Sequence, residues 1–284
     1  MLGDMDYGFD TWIYSILDVE KALERLRDRD VRFVEICFEH LSKLSRNGEI
    51  DLNALRRIKE TTDSLGVRII QVHAPFGEID FELASTDSSK RDKALKKTFN
   101  LIKQVGELEW GTLVFHTARL ESYVKYDSQE IVEKTRLANI GFFKEASKHA
   151  SEHGVEIAVE NRLENGYGAL PKDLSELLKE VNDDCFGVCL DVGHANVNRL
   201  NPSSFVESLG ESLVATHIHD NNGFEDQHLP PLMGNIDWNK LVNAFSKINY
   251  RKPLILEVHE YGRLDLDDNV LRASSILMDR LLNH

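Results

Sequence analysis

The 284-residue sequence predicts a single (β/α)8 barrel, with residues 1–284 forming one domain. Short apolar runs alternate with amphipathic stretches eight times along the chain, which matches eight strand–helix units. Several of the runs are almost continuously apolar, as parallel strands covered on both faces are. The sequence contains no Gly/Ser-rich linker that would mark a domain boundary. A doubly wound open sheet is the alternative, and the absence of a glycine-rich GxGxxG turn after the first strand argues against it.

The elements follow one another as apolar runs and helical repeats. The first apolar run lies near Tyr7–Ser15, and the helix-like segment LDVEKALERLRDRD follows it. Gly66 and Gly154 come just after predicted helices, where glycine adopts the left-handed backbone of a C-cap. Pro171 is predicted to start a helix, where its missing N–H is tolerated. The remaining strands, with the helices after them, are VRFVEICFE with NALRRIKETTDSLG, VRIIQVHAPF with SSKRDKALKKTFNLIKQVGELE, GTLVFHTA with SQEIVEKTRLANIGFFKEASKHASEHG, VEIAVEN with PKDLSELLKEV, FGVCLDVGH with PSSFVESLGES, LVATHIHD with DWNKLVNAFSKI, and PLILEVHEY with DNVLRASSILMDRLL.

Composition limits the partners and the compartment. The formal net charge is −14, from 34 Lys and Arg against 48 Asp and Glu, and this field repels a nucleic-acid backbone unless a local basic strip offsets it. Three cysteines and no signal-peptide pattern predict reduced thiols in a cytoplasmic protein. No window approaches the roughly 20 apolar residues of a membrane span. Exposed barrel helices commonly pair, which leaves a homo-oligomer open.

Polar side chains gather where the predicted strands end, and the chemistry of such a barrel lies at that face. Seven of the 11 histidines lie at or just beyond a strand's carboxyl end, and carboxylates accompany them. A lone histidine there is more often a hydrogen-bonded core residue, but a converging set of this size needs a cation to compensate its charge and burial. The set comprises His73, His116, Glu160, Asp191, His194, His217, His219, Asp220, Asp226, His228, Glu257 and His259.

The types of side chain indicate which ions would bind. Imidazole and carboxylate without a thiolate suit zinc, manganese, iron or cobalt. The pairs Asp191-x-x-His194 and Asp226-x-His228 are each weak motifs, because Asp and His at these spacings occur by chance in many loops. Taken together, the side chains predict a site for one to three divalent ions per chain, with Zn, Mn, Co or Mg as candidates.

The chain resembles the xylose isomerase-like TIM-barrel superfamily, which includes sugar isomerases and epimerases, inosose dehydratases and metal-dependent apurinic endonucleases. The resemblance runs through VEICFE, VHAPF, VFHTA, IAVENR, LDVGHAN, THIHDNN, DQHLPPLMGNIDW and PLILEVHEY. It implies that a shared metal is held by Glu160, Asp191, His217 and Glu257. For the endonuclease type it implies further ions on His73, His116, His194, Asp226 and His228. The chain departs from the pattern at Leu232–Gly234, where LMG replaces the Gly-Glu-Gly of many relatives, so a role carried by that glutamate does not transfer.

The resemblance implies, as the leading function, metal-dependent isomerisation or epimerisation of a small carbohydrate, either a sugar or a sugar phosphate. Glu160 and Glu257, on opposite sides of the ion, would remove and return a proton next to a carbonyl through an enediolate. Arg162 and His219 would hold a hydroxyl or phosphate of the substrate. The alternatives for Arg162 are a solvated loop cation or a partner for Glu164, and the alternative for His219 is an orienting hydrogen bond.

Two other functions are alternatives. The first is a multinuclear zinc phosphodiesterase of the apurinic endonuclease type acting on abasic DNA, in which a metal-bridged hydroxide attacks phosphorus. The segment Gly77–Asp87 is acidic and has no Lys or Arg, which argues against this function, whereas Lys43 and Arg46 in the second loop favour it. The second is a barrel that binds a sugar or metal without turnover, and the presence of both acid–base carboxylates argues against it.

Overall fold

The structure is a computed structural model, and it describes residues 5–46, 49–120, 128–163 and 166–282. Its strands are β1 (Tyr7–Asp10), β2 (Phe33–Ile36), β3 (Ser45–Arg46), β4 (Glu49–Ile50), β5 (Arg68–His73), β6 (Thr112–Phe115), β7 (Glu156–Glu160), β8 (Phe186–Asp191), β9 (Leu213–His217) and β10 (Leu254–Leu256). Its α-helices are α1 (Val19–Arg27), α2 (Phe38–Lys43), α3 (Leu52–Leu65), α4 (Glu78–Leu83), α5 (Ser88–Leu108), α6 (Gln129–His153), α7 (Pro171–Val181), α8 (Val192–Val197), α9 (Pro202–Leu209), α10 (Trp238–Lys247) and α11 (Leu264–Leu282).

Eight of the described strands form one parallel sheet that closes on itself. Hydrogen bonding runs in the order β10, β1, β2, β5, β6, β7, β8 and β9, and each neighbouring pair is parallel. The two edge strands meet just past β9, where Ile218 N donates to Ile255 O at 2.7 Å and Ile218 bridges Leu256. The predicted single (β/α)8 barrel is confirmed. The strands β3 and β4 form a separate antiparallel hairpin.

The hydrophobic core lies inside the barrel and between the barrel and its outer helices. All six residues of β8 and all four of β6 are buried, as their nearly continuous apolar runs predict. The outer helices bury one face each; α1, for example, buries Val19, Ala22, Leu23 and Leu26 at the three- and four-residue spacing of an amphipathic helix. This packing fixes the strand ends from which the polar side chains project.

Local chemistry determines where the elements begin and end. Gly66 and Gly154 both end their helices in the left-handed region, each with a φ of 67°, as predicted. Pro171 opens α7, also as predicted. The first strand is shorter than the predicted run. It ends at Asp10, whose side chain accepts a backbone hydrogen bond and starts a 3₁₀ helix at Thr11–Tyr14.

Short elements at the site face were missed by the sequence pattern. They are α2, the β3–β4 hairpin, α4 and α8, and each lies between the carboxyl end of a barrel strand and the next outer helix. Helices of six residues are too short to show a hydrophobic repeat, so sequence periodicity does not reveal them. Within the described ranges, no helix is long and apolar enough to cross a membrane.

Candidate metal centre

The ligand-type side chains come from the carboxyl ends of neighbouring strands. His73, Glu160, Asp191 and His217 are the last residues of β5, β7, β8 and β9, respectively. Glu257 directly follows β10. Because parallel strands of a closed barrel all end at the same mouth, these five side chains meet although they are far apart in sequence.

Glu160 lies at the centre of the cluster, and its two oxygens face different histidines. Its Oε2 is 3.2 Å from His73 Nε2 and 3.2 Å from His116 Nε2. Its Oε1 is 3.2 Å from His217 Nδ1 and 3.4 Å from His194 Nδ1. Because its two oxygens face different histidines, the buried Glu160 carboxylate could contribute to two adjacent ligand groups.

Four groups of side chains, which share some members, place their ligand atoms close enough together to hold an ion. Within each group the atoms lie within 4.8 Å of one another. The first three groups are His73, His116 and Glu160; Glu160, Asp191, His217 and Glu257; and His194, Asp226 and His228. The fourth, His219, His228 and Glu257, overlaps with the second and third. All nine residues predicted as ligands from the sequence are therefore brought together, and their role as ligands stays a proposal.

Backbone carbonyls fix the tautomers of two of these histidines. His73 Nδ1 lies 2.9 Å from Ala74 O, and His228 Nδ1 lies 2.9 Å from Glu257 O. A carbonyl oxygen only accepts hydrogen bonds, so each Nδ1 carries the proton that it donates. In the neutral ring, Nε2 then keeps a lone pair that faces the cluster, which is how metal-binding histidines are commonly oriented.

Two more histidines are oriented in the same way. His194 Nδ1 lies 3.0 Å from Asn161 O, which leaves Nε2 for the group that contains Asp226. His217 uses the opposite nitrogen, because its Nε2 lies 2.9 Å from Glu35 Oε2 and its Nδ1 faces the second group. In each case the nitrogen left over faces one of the ligand groups.

The charges of the cluster shift the titration of its members. Burial by itself would raise the pKa of the Glu160 carboxyl, but His217 and His116 outweigh it and lower that pKa well below its ordinary value. Burial opposes protonation of His73, yet Glu160 raises its pKa to about 9. Burial acts the same way on His228, where Glu257 and Asp226 raise the pKa to about 9. The protons on the histidine rings thus compensate the negative charge of the carboxylates. A bound cation would compensate that charge instead, and the rings would release their protons.

Arg162 lies in the wall of a cleft next to this cluster. The cleft has a volume of about 330 Å³, and Arg162 shares it with His116 and His194. The Arg162 guanidinium donates to Thr117 O at 2.9 Å and lies 3.7 Å from Asp80 Oδ2. These contacts hold the cation at the edge of the cluster, and its contact with a substrate stays a prediction.

His219 is fully buried against Asp191. Its Nε2 lies 3.0 Å and 3.1 Å from the two carboxylate oxygens of Asp191. The ring fits there only because residue 193 is glycine, since a Cβ at Gly193 would lie 1.9 Å from His219 Cε1. This geometry favours the orienting hydrogen bond over direct contact with a substrate hydroxyl.

Buried polar residues deeper in the barrel were not identified from the sequence. Glu35 Oε2 accepts hydrogen bonds from both His217 and Gln71, and Asp10 lies near it on the adjacent strand. Burial, together with the charges of Glu35 and Glu257, raises the pKa of Asp10 well above its ordinary value. The available signal was a charged residue inside the apolar run VRFVEIC and an amide inside RIIQV.

The segment that departs from the family pattern lies at the surface. Leu232 is 44% exposed and Met233 is 59% exposed, so neither side chain takes the place of a buried glutamate. Gly234 is enclosed, because a Cβ there would lie 2.2 Å from Asn221 O. Steric fit therefore accounts for the glycine, and no acid–base group is supplied at this segment.

The sequence is similar to known proteins over almost its full length. Residues 23–279 match the model of the family described as xylose isomerase-like TIM barrel. The uncharacterised protein MJ1311 of Methanocaldococcus jannaschii is 27% identical over 257 residues, which cover 89% of this chain and 84% of that protein. The uncharacterised protein MJ1614 of the same organism is 27% identical over 284 residues, covering 92% and 96%.

Solved structures share the fold. A D-tagatose 3-epimerase-like protein is 24% identical with a TM-score of 0.76, and the match covers 98% of this chain and 100% of that one. A D-psicose 3-epimerase studied with D-fructose is 16% identical with a TM-score of 0.80, covering 99% and 100%. A 3-keto-D-glucoside 4-epimerase of E. coli is 15% identical with a TM-score of 0.74, covering 99% and 100%. At these identities the likeness shows the fold alone.

Proposed function

Because the chain belongs to the xylose isomerase-like TIM-barrel family, we propose that it is a divalent-metal-dependent sugar epimerase or isomerase. The observation that carries the proposal is the position of two carboxylates around one histidine. His217 Nδ1 lies 3.2 Å from Glu160 Oε1 and 3.3 Å from Glu257 Oε2. Two carboxylates that flank the same histidine can act on the two faces of a substrate carbon held between them. The likeness to sugar 3-epimerases supports the substrate class.

The donor set at this point fits a divalent ion. Glu160, Asp191, His217 and Glu257 offer one nitrogen and three carboxylate oxygens within 4.8 Å of one another. His217 donates its Nε2 proton to Glu35, so its Nδ1 lone pair is available. When bound, the ion would polarise a sugar carbonyl and the neighbouring hydroxyl, which acidifies the C–H between them. Imidazole with carboxylates suits Mn, Co, Zn or Mg.

The carboxylates of the chain would move the proton. One of them takes the proton from the carbon next to the carbonyl, and the electron pair of that C–H bond moves into the enediolate. The other group enters the step as the carboxylic acid, and it gives its proton to the opposite face of the same carbon for epimerisation, or to the neighbouring carbon for isomerisation. We assign the two steps to Glu160 and Glu257, whose side chains are 2% and 20% exposed. Such a group typically contributes about 10²–10⁴-fold in rate.

Arg162 and His219 complete the proposed site. Arg162 lines the cleft beside the cluster, so its guanidinium is the group we assign to a substrate hydroxyl or phosphate. For His219, the two contacts with Asp191 support a role in positioning that carboxylate.

A second candidate function is favoured by the third ligand group. His194, Asp226 and His228 form a set beyond what proton transfer at one ion needs, and Asp226 Oδ2 lies 3.0 Å from His228 Nε2 and 3.4 Å from His194 Nε2. Several adjacent ions suit the hydrolysis of a phosphodiester in abasic DNA, because they stabilise both the attacking and the leaving oxygen. The acidic side chains of Glu78 and Glu82 near the mouth disfavour a DNA backbone.

Metal stoichiometry followed by two activity assays tests the proposal. The purified chain is analysed for bound metal and then assayed on a panel of ketoses and ketose phosphates, and on a duplex with one abasic site at low salt. One ion per chain with inversion of a sugar carbon would support the epimerase. Three zinc ions with nicking of the duplex, and no sugar turnover under any divalent metal, would overturn it.

A further inference from the structure

A cavity of about 350 Å³ lies beside the metal centre, enclosed by α2, the β3–β4 hairpin, α4 and α5. Its wall includes the apolar side chains of Phe38, Ile50, Phe76, Ile79, Leu83 and Leu101. The volume falls in the range of small-molecule sites, about 300–1,000 Å³. An apolar cavity of roughly 150 Å³ already accommodates benzene, so this one has room for an aromatic ring with a polar attachment.

The cavity adjoins the metal centre through three side chains. Phe76, Asp80 and His116 line both the cavity and the cleft that contains Arg162. The ring centroids of Phe76 and His116 are 4.8 Å apart, and His116 Nε2 lies 3.2 Å from Glu160 Oε2. A molecule bound at the centre therefore has the cavity as its immediate neighbour.

The cavity wall carries a buried hydrogen-bond acceptor without a partner. Gln104 is 6% exposed, and its Nε2 donates to Ile50 O at 3.0 Å, which leaves Oε1 as the acceptor end of the amide. In the part of the chain that the structure describes, nothing donates to this Oε1. Because this Oε1 has almost no accessible surface, a ligand O–H or N–H would reach it only after the amide shifts toward the cavity, and the ligand would then satisfy an otherwise unpaired buried acceptor.

The charges around the cavity limit the kind of ligand it can take. Glu49, Glu78 and Glu82 line it against the single lysine Lys97, and Asp80 adds a buried carboxylate where the cavity meets the cleft. This excess of negative charge repels a phosphate or carboxylate group. The charge therefore excludes an anionic occupant, and the apolar side chains of the wall favour a mainly apolar one.

We infer that the cavity binds an uncharged aryl or alkyl substituent of the substrate, with a hydrogen-bond donor that reaches Gln104. The inference rests on the proposed function for the sugar part, and it makes the substrate a substituted, unphosphorylated sugar. Phe38 and Phe76, whose ring centroids are 4.7 Å apart, form the aromatic side of the cavity. An aromatic ring bound there would contact both of them.

Binding of two pairs of compounds tests the inference without turnover. The full-length chain, as purified, is titrated with phenyl and methyl β-D-glucopyranoside, and separately with phenol and toluene, by ligand-observed NMR. We expect the phenyl glucoside to bind at least about tenfold more tightly than the methyl glucoside, because burial of an aryl ring contributes that much or more. Phenol should bind more tightly than toluene, because only phenol donates to Gln104 Oε1.

Substitutions on α5 locate the binding. Asn100→Trp places an indole in the cavity wall and should abolish the preference for the phenyl glucoside. Lys103→Trp, at an exposed position of the same helix outside the cavity, is the matched control and should keep it. Gln104→Met keeps the length of the side chain, removes the acceptor together with the donor to Ile50 O, and should remove the advantage of phenol over toluene.

Absence of aryl binding, equal affinity for the two glucosides, or an unchanged preference in Asn100→Trp overturns the inference. If Asn100→Trp does not fold by circular dichroism, the comparison of phenol with toluene in Gln104→Met decides. Binding of the phenyl glucoside at the cavity without turnover of any sugar would contradict the proposed function alone. Epimerase activity with equal affinity for the phenyl and methyl glucosides would contradict this inference alone.

Discussion

Glu257 is the more exposed of the two carboxylates that flank His217, which makes it the more accessible to a substrate. We expect Glu257→Gln to lower the rate of epimerisation by at least about 10²-fold, because an amide can neither accept nor return the proton. The measurement is deuterium incorporation at the inverted carbon in deuterium oxide. Metal content and melting temperature serve as controls, since the substitution also replaces a charged ligand. Undiminished incorporation would contradict the assigned role.

Glu35 is a buried carboxylate whose contact with His217 fixes that ring. Glu35→Ala removes the acceptor 2.9 Å from His217 Nε2, so the ring is free to turn and its Nδ1 is less well placed. We expect the metal affinity to fall by about 10–100-fold, measured by competition with a chromophoric chelator. Glu35→Gln keeps an acceptor oxygen and should retain most of the affinity. Equal affinities of Glu35→Ala and wild type would show that the ring is held by other contacts.

Individual residues also show what the sequence can and cannot predict about the site. Glu160, Asp191 and Glu257 were predictable, because each ends or follows an apolar run and parallel strands bring such ends together. Glu35 was not, because it lies within an apolar run, where a charged residue has no partner visible in sequence. Gln104 was also missed, since its place in a cavity wall depends on packing between α5 and the β3–β4 hairpin.

At the scale of secondary structure, the long elements were predictable and the short ones were not. Helices such as α3 and α7 can be predicted from an amphipathic repeat and from a residue that marks one end, Gly66 for α3 and Pro171 for α7. The six-residue α4 and α8 lack such a repeat, and they form where they do because strand ends and side-chain caps hold them, as Asp191 caps α8. The short elements surround the site, so the sequence predicts the scaffold better than it predicts the walls of the pocket.

The contact between α1 and α11 depends on Asp268. Its carboxylate accepts from Arg25 at 2.6 Å, from Arg29 at 2.5 Å and from Tyr14 at 2.7 Å. Burial opposes the charge, but hydrogen bonds from Arg25, Tyr14 and Arg29 outweigh it and lower the pKa of Asp268 below its ordinary value of 3.8. A lowered folded-state pKa means that the stabilisation is complete above the unfolded-state value and is lost as the pH falls through the folded-state value.

We expect Asp268→Asn to lower the free energy of unfolding by about 1–2 kcal/mol at neutral pH, the partly exposed side chain being screened by solvent. The difference from wild type should shrink as the pH falls below about 4, where Asp268 of the unfolded chain begins to protonate, and it should be smallest below the lowered pKa of the folded chain. Urea unfolding of both proteins at neutral pH and in acid measures this difference in the free energy of unfolding. Asp63→Asn, which breaks an exposed helical pair with Lys59, is the control and should change stability by less than about 0.5 kcal/mol. A difference that persists undiminished in acid would rule out the carboxylate charge as its source.

At the scale of the whole molecule, the metal centre joins strands from across the barrel. Its ligand groups take residues from β5, β7, β8 and β9, from helix α8, and from the loops after β6, β9 and β10. Ions bound there would link elements that are distant in sequence and would stabilise the folded chain over the unfolded one. We expect chelator treatment to lower the melting temperature and the return of the correct divalent metal to restore it. A metal present at 100 times its dissociation constant contributes about 2.7 kcal/mol.

Substitutions can divide the metal-dependent shift in melting temperature among the ligand groups. Glu160→Gln weakens the first and second groups together, because Glu160 belongs to both, and should remove most of the shift. Asp226→Asn acts on the third group alone. If three ions bind, Asp226→Asn should reduce the stoichiometry by one and leave part of the shift. If a single ion binds among Glu160, Asp191, His217 and Glu257, Asp226→Asn should leave both the stoichiometry and the melting-temperature shift unchanged. Sugar epimerisation would then need none of the additional histidines. Equal melting temperatures of the wild-type chain in chelator and in each metal would contradict a metal centre at this mouth altogether.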